Sequence, residues 1–316
     1  MTQTVVVGVD GSPSSSRAVR TAAREAELRG AGLRLVHAFG WPMPHVPPGG
    51  PPWNPDTLDL RELADGTLAD AERLAREVAP HVETTRHVTV GEPLMVLEIA
   101  SRTASVVVVG SRGLNAFTSL LLGSAAGHLA AHARCPVLVV RGRGAPNGPV
   151  LLGVDDAPAC RGAVRFAFSE ASLRGAELLA VHVSGSGSVD AYDGPADPPF
   201  VTRDARHERV HAEHVLDSVL AAPADEYAHV TVRRMPVVGR VRPTLVEASA
   251  DAQLLVVGAR GRGGFAGPAA RFRQPGSPAP MRSAPSSSPA TPVLQCREPG
   301  RGLCSSESGP PSDLGQ

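Results

Sequence analysis

Short valine-rich apolar runs alternate along the chain with longer stretches whose apolar residues recur at helical spacing. In the first half, "TVVVGVD" (4–10), "LRLVHAF" (33–39), "TTRHVTV" (84–90), "SVVVVG" (105–110) and "PVLVVR" (136–141) read as strands. Near-continuous apolar runs of this length suit a parallel sheet covered on both faces. Between the first two lies "GSPSSSRAVRTAAREAELRG", in which Ala18, Val19, Ala22, Ala23 and Ala26 share one helical face. Its Ser-Pro start supplies an N-cap and a preorganised first turn, and Gly30 supplies a C-cap. Residues 57–79 predict an amphipathic helix with Leu58, Leu63, Leu68 and Leu74 among its apolar positions, and 93–104 and 123–133 predict two more. The Pro/Gly-rich segment 40–55 reads as a loop.

The pattern then restarts. "VLLGVDDAPACRGAVRFAFSEASLRGAELLAVHV" (150–183) parallels residues 4–38, with Gly153, Asp155 and His182 in the places of Gly8, Asp10 and His37. "VVGRVRPTLVEASADAQLLVVGARG" (237–261) parallels 89–113. Two copies of domain size are a tandem duplication, divided here into 1–142, a linker at 143–149, 150–267, and a tail at 268–316. Alternation of strand and helix predicts α/β architecture with parallel sheets and right-handed crossovers.

Composition narrows the chemistry. All 31 basic residues are arginine and the chain has no lysine, so a P-loop, a protein kinase site and a Schiff-base lysine are excluded. Formal net charge is zero, which gives no reason to expect nucleic acid or anionic membrane as a partner. No apolar run has membrane-spanning length, and the N-terminus enters a strand without a leader-like pattern, so a cytoplasmic protein is expected. Cys135, Cys160, Cys296 and Cys304 lack CxxC spacing and read as core residues or free thiols.

Three features converge on one edge of the predicted first sheet, where open parallel sheets bind ligands. Asp10 ends the first strand, Ala38 ends the second, and Gly110 ends the fourth and opens "GSRGLNAFTSLLLGSAAG". Gly110 and Gly113 allow backbone to approach a phosphate, and Gly123-Ser124 opens a helix whose N-terminal amides favour an anion. A carboxylate at Asp10 suits ribose hydroxyls, an adenine amine, or a metal held by the phosphates. A strand-to-loop turn followed by a simple helix cap explains the same glycines without a ligand. His128 with His132, and His207 with His211 and His214, have helical spacing but lack a third ligand type and are read as polar faces. His37 reads as a core histidine bonded to its surroundings.

The spacing G-x2-G-x9-G-S, with "VVVGVDGS", "LVHAF", "VVVVGSRG" and "CPVLVVR", resembles the universal stress protein family in the tandem form common in actinobacteria. The resemblance covers 4–141 well and 150–267 nearly as well. It implies two tandem Rossmann-like open five-stranded parallel sheets flanked by helices, the second lacking its last helix and strand. It implies ATP, with Mg where the phosphates carry it, contacted by Gly8, Asp10, Ala38, Val109, Gly110, Arg112, Gly113, Gly123, Ser124 and Ala125. A second, degenerate site would comprise Asp155, Val183, Gly258 and Gly261. The strand "CPVLVV" implies a homodimer or pairing of the two domains within one chain. No catalytic residue is evident, so a regulatory role in stress response is expected. A nucleotide-independent pairing module and a slow ATP-using enzyme stand as alternatives.

The second copy breaks after Gly258 and Gly261: the Gly-Ser pair is replaced by Arg271 and Phe272. From Pro268 onward Pro, Ser, Ala and Arg dominate, and a disordered tail without a closing strand is expected. Read one base out of step, a coding sequence for "PAARFRQP" can spell Leu-Leu-Leu-Gly-Ser in the register of 120–124, which suggests a frameshift near Gly267.

Overall fold

The computed structural model describes residues 3–39, 57–111, 129–141, 145–155, 160–184, 205–258 and 293–296. In the first repeat these form β1 (Thr4–Gly8), α1 (Pro13–Arg29), β2 (Gly32–Phe39), α2 (Thr57–Val78), β3 (Thr84–Val90), α3 (Pro93–Ala100), β4 (Val106–Gly110) and β5 (Val137–Val140). The second repeat forms β6 (Val150–Val154), α4 (Cys160–Arg174), β7 (Leu178–Ser184), α5 (Ala205–Glu226), β8 (Val232–Val238), α6 (Val241–Ala248) and β9 (Leu254–Gly258). A last strand, β10, comprises Val293–Cys296.

Within each repeat the strands are parallel, five in the first and four in the contiguous part of the second, as the alternating pattern predicts. The order β3-β2-β1-β4-β5 makes the chain move one way from β1 to β3 and then return to β4 on the other side of β1. That reversal between β1 and β4 is the switch point at which such sheets open a crevice.

Within 268–316, where a disordered tail is expected, the described residues form one short strand, β10. Residues Val293–Cys296 pair parallel with β9 and antiparallel with β5, beside the four parallel strands of the second repeat. The physical reason is pairing demand: β5 and β9 both present unpaired backbone edges, and a short β-prone segment that satisfies both removes two rows of open donors and acceptors. The sheet thereby runs continuously through ten strands. The rest of 268–316, and the helix expected to be missing from the second copy, lie outside the described residues.

Local chemistry sets the element ends. Ser12 caps α1 by accepting a hydrogen bond from the Ser15 amide at 3.1 Å, and Pro13 follows it. Gly30 stops α1 in the left-handed region at φ 58°, a conformation that a side chain would penalise. The helix expected over 93–104 ends at Ala100. There the Ser101 hydroxyl donates to the Glu98 carbonyl at 2.6 Å and accepts from the Arg134 amide at 2.9 Å, drawing the chain out of the helix.

One face of the sheet carries α1, α2, α4 and α5 over a single apolar cluster that includes Val5, Val7, Leu35, Leu152, Phe168 and Leu216. On the opposite face the repeats keep separate cores, around Val6, Val107, Leu97 and Leu129 in the first and around Leu151, Val181 and Leu255 in the second. The shared face also holds a closed ion cluster at the ends of α1 and α4. Glu25 pairs with Arg29 at 2.8 Å, Glu170 with Arg174 at 2.5 Å, Arg29 with Glu170 at 2.5 Å, and Arg174 with Glu25. All four side chains are at most 10% exposed. Burial pushes the Glu170 carboxyl above its ordinary range, against the opposing pull of Arg174 and Arg29.

Candidate functional site

Because β1, β2 and β4 are parallel neighbours, their carboxyl ends share one edge, and the residues after them converge there. Gly8 pairs in register with Val36, and the Val9 amide still donates to the Val36 carbonyl at 2.9 Å. The chain then leaves the sheet through Asp10 and Gly11, the latter at φ 77°. One Asp10 oxygen, Oδ1, accepts from the Ser12 amide at 3.0 Å, which holds the half-buried carboxylate at the mouth of the crevice. His37 Nδ1 donates to the Val9 carbonyl at 2.8 Å, pinning β2 to the turn that carries Asp10. His37 is hydrogen-bonded as expected, but it is half-buried at this edge and not a core residue. Ala38 follows, paired with Thr89 and half-buried.

Across the switch point, Val109 and Gly110 pair with Val139 and Val140 of β5. Gly110 is required by packing: a Cβ there would lie 2.9 Å from both the carbonyl carbon and the oxygen of Ser14, inside the first turn of α1. Its lack of a side chain is what lets β4 lie against the start of α1. Gly8 is less constrained, since a Cβ there would meet the flexible tip of Leu97 at 3.1 Å and Val109 at an ordinary contact distance of 3.8 Å.

The structure therefore brings together Gly8, Asp10, Ala38, Val109 and Gly110 at one edge. Arg112, Gly113, Gly123, Ser124 and Ala125 lie outside the described residues. In the second repeat His182 Nδ1 donates to the Val154 carbonyl at 2.9 Å, reproducing the His37 bond, with Asp155 next in the chain. Val183 pairs with Val237, and Gly258 ends β9 opposite Cys296. Gly261 lies outside the described residues.

The described residues contain no group of three or more His, Cys, Asp or Glu able to hold a metal ion. Asp10 is the carboxylate among the sequence-predicted residues of the first crevice that the described residues include. His211 stands edge-on to His182 with ring centroids 6.2 Å apart, a packing contact. Cys135 and Cys160 are buried free thiols, and burial pushes them up to about 12 and about 11. No helix among the described residues is long and apolar enough to cross a membrane.

The repeated edge geometry finds its match in a known family: the model for "Universal stress protein family" matches residues 1–141 and again 146–270. The chain belongs to the universal stress protein family. It is 35% identical over 273 residues to the universal stress protein Rv2623 of Mycobacterium tuberculosis, covering 83% of this chain and 88% of the relative. It is 37% identical over 275 residues to a universal stress protein of Mycolicibacterium smegmatis, covering 83% of this chain and 89% of that one. Among solved structures, a universal stress protein from Archaeoglobus fulgidus aligns over 93% of this chain and 98% of its own length. Its TM-score is 0.62 at 17% identity, a likeness of fold.

Proposed function

We propose that the first universal stress protein domain, 1–142, binds ATP at the carboxyl edge of its sheet and acts as a regulatory module in stress response. The observation that carries this reading is the placement of Asp10 and Gly110 on opposite sides of the β1/β4 switch point. Gly110 also opens the G-x2-G-x9-G-S segment. In this reading Asp10 and the backbone at Ala38 hold the adenosine part, while Gly113, Gly123, Ser124 and Ala125 supply amides and a hydroxyl to the phosphates. Mg, when present, rides on the phosphates. In this reading occupancy changes shape or partner contacts and turnover is slow at most.

The second domain, 150–267, keeps Asp155 and Gly258 but has Arg271 and Phe272 where the phosphate clamp would lie. It binds nucleotide poorly or not at all. Nucleotide released from the purified full chain is the test: ATP at no more than one per chain is expected. Gly123→Val and Ser124→Ala should abolish it while the fold persists. Absence of nucleotide, with no ATP binding on titration, would sink the reading and leave a nucleotide-independent pairing module.

A further inference from the structure

We propose that the cleft between the two repeats, beside α1 on the shared face of the sheet, binds a linear oligophosphate at a site separate from the sheet edge. The cleft measures about 1010 Å3 and runs between α1, the β5 residues Leu138 and Val140, and the connecting stretch around Asn147. Arg17, Arg20 and Arg24 line it from α1. Their three- and four-residue spacing sets them on one helical face, with successive steps of about 5 Å along the axis.

All three side chains belong to exposed residues, and none has an ion pair within 4.0 Å among the described residues. Arg174 also faces the cleft but is engaged by Glu25 and Glu170. Of the two carboxylates among the described lining residues, Glu25 is buried in that same cluster, which leaves Glu27 against three guanidinium groups. The wall is therefore strongly positive although the whole chain is neutral.

The row is particular to the first repeat. The positions matching Arg17 and Arg24 in the second repeat hold Gly162 and Ser169. A guanidinium fork pairs in bidentate fashion with phosphate oxygens, and three forks in line suit a ligand whose charges repeat in line. A single carboxylate would engage only one of them.

The test titrates the full chain with sodium tripolyphosphate at fixed ionic strength, by calorimetry. Three proteins are compared: unmodified, Arg17→Ser/Arg24→Ser, and Ser124→Ala. The double variant carries small residues like those of the second repeat, at exposed positions, and circular dichroism checks its fold. Saturable binding is expected in the unmodified protein and in Ser124→Ala, weakened about tenfold or more in the double variant, whose ATP binding stays unchanged. No saturable binding would overturn the proposal. So would loss in Ser124→Ala with retention in the double variant, which would place the tripolyphosphate on the Gly123-Ser124 loop. A single-stranded oligonucleotide binding more tightly through the same arginines would overturn it as well.

Discussion

Arg29 and Glu170 stand 141 residues apart in the chain, yet Arg29 Nη2 lies 2.5 Å from Glu170 Oε1. Arg174 reaches Glu25 in the reciprocal way, so matching residues of the two repeats exchange partners across the seam. Removing one member leaves the others buried and undercompensated, which typically costs about 3–5 kcal/mol. Arg29→Met is expected to lose roughly that much in denaturant unfolding. Replacing all four residues with apolar ones of similar volume should cost far less. Equal losses in the two variants would show that the ions themselves, and not their mutual satisfaction, hold the seam.

Glu170 gives the seam a pH dependence whose sign opposes the usual behaviour of a salt-bridged carboxylate. Its folded value is raised above the ordinary 4.5, chiefly by burial. The folded state therefore holds a proton that the unfolded state has already lost, and this contribution to stability falls as pH rises through the window above 4.5. Glu170→Gln lacks that proton exchange. Its stability relative to the unmodified protein should therefore increase from acid to neutral pH, as read from paired urea titrations.

Gly110 and Gly8 end adjacent strands but should differ on substitution. Gly110→Ala drives a methyl group to 2.9 Å from the Ser14 backbone, which cannot yield without moving α1. Overpacking of this kind costs about 1–3 kcal/mol. Gly8→Ala meets side-chain tips, of Leu97 and Val109, and no backbone, and should cost well under half as much. Thermal melts of the two variants make the comparison, and equal losses would refute the close approach of β4 to α1.

Ending the chain after residue 292 removes β10 and bares the edges of β5 and β9. Exposed parallel edges recruit strands from other chains. The shortened protein is expected to self-associate in light scattering. A shortened protein as monodisperse as the full chain would mean that β10 does not close the sheet.

Much of this architecture is legible in the residues. "TTRHVTV" forms β3 over the whole of 84–90, and Ser12, Pro13 and Gly30 begin and end α1 where local capping chemistry puts them. Duplication makes the matching positions legible, because Asp10 and Asp155 follow matching strands. The strand at 293–296 escapes such reading for a physical reason. "PVLQC" is brief and set among prolines and serines, and its extended state is decided by two distant edges that local pattern does not encode. Its "PVL" repeats the start of "PVLVV" at β5 and is the signal that was available. The ion cluster is hidden similarly: Glu25 with Arg29, and Glu170 with Arg174, each look like an ordinary pair on a helix surface. Only the meeting of the two helices buries them. Whether Arg271-Phe272 arose by frameshift is decided by the gene: a single-base change near the Gly267 codon should restore Leu-Leu-Leu-Gly-Ser.

The position of β10 also orders events in time. β5 leaves the ribosome at residues 137–140, whereas the strand that covers its edge is made only at 293–296. While residues 141–292 are made, the first repeat must keep that edge open, in a regime where nascent chains of one message lie near each other. Pairing of β10 with β5 is consequently a step of long sequence separation, the slow kind in folding. Until β10 is made, a growing chain of this protein carries that edge uncovered.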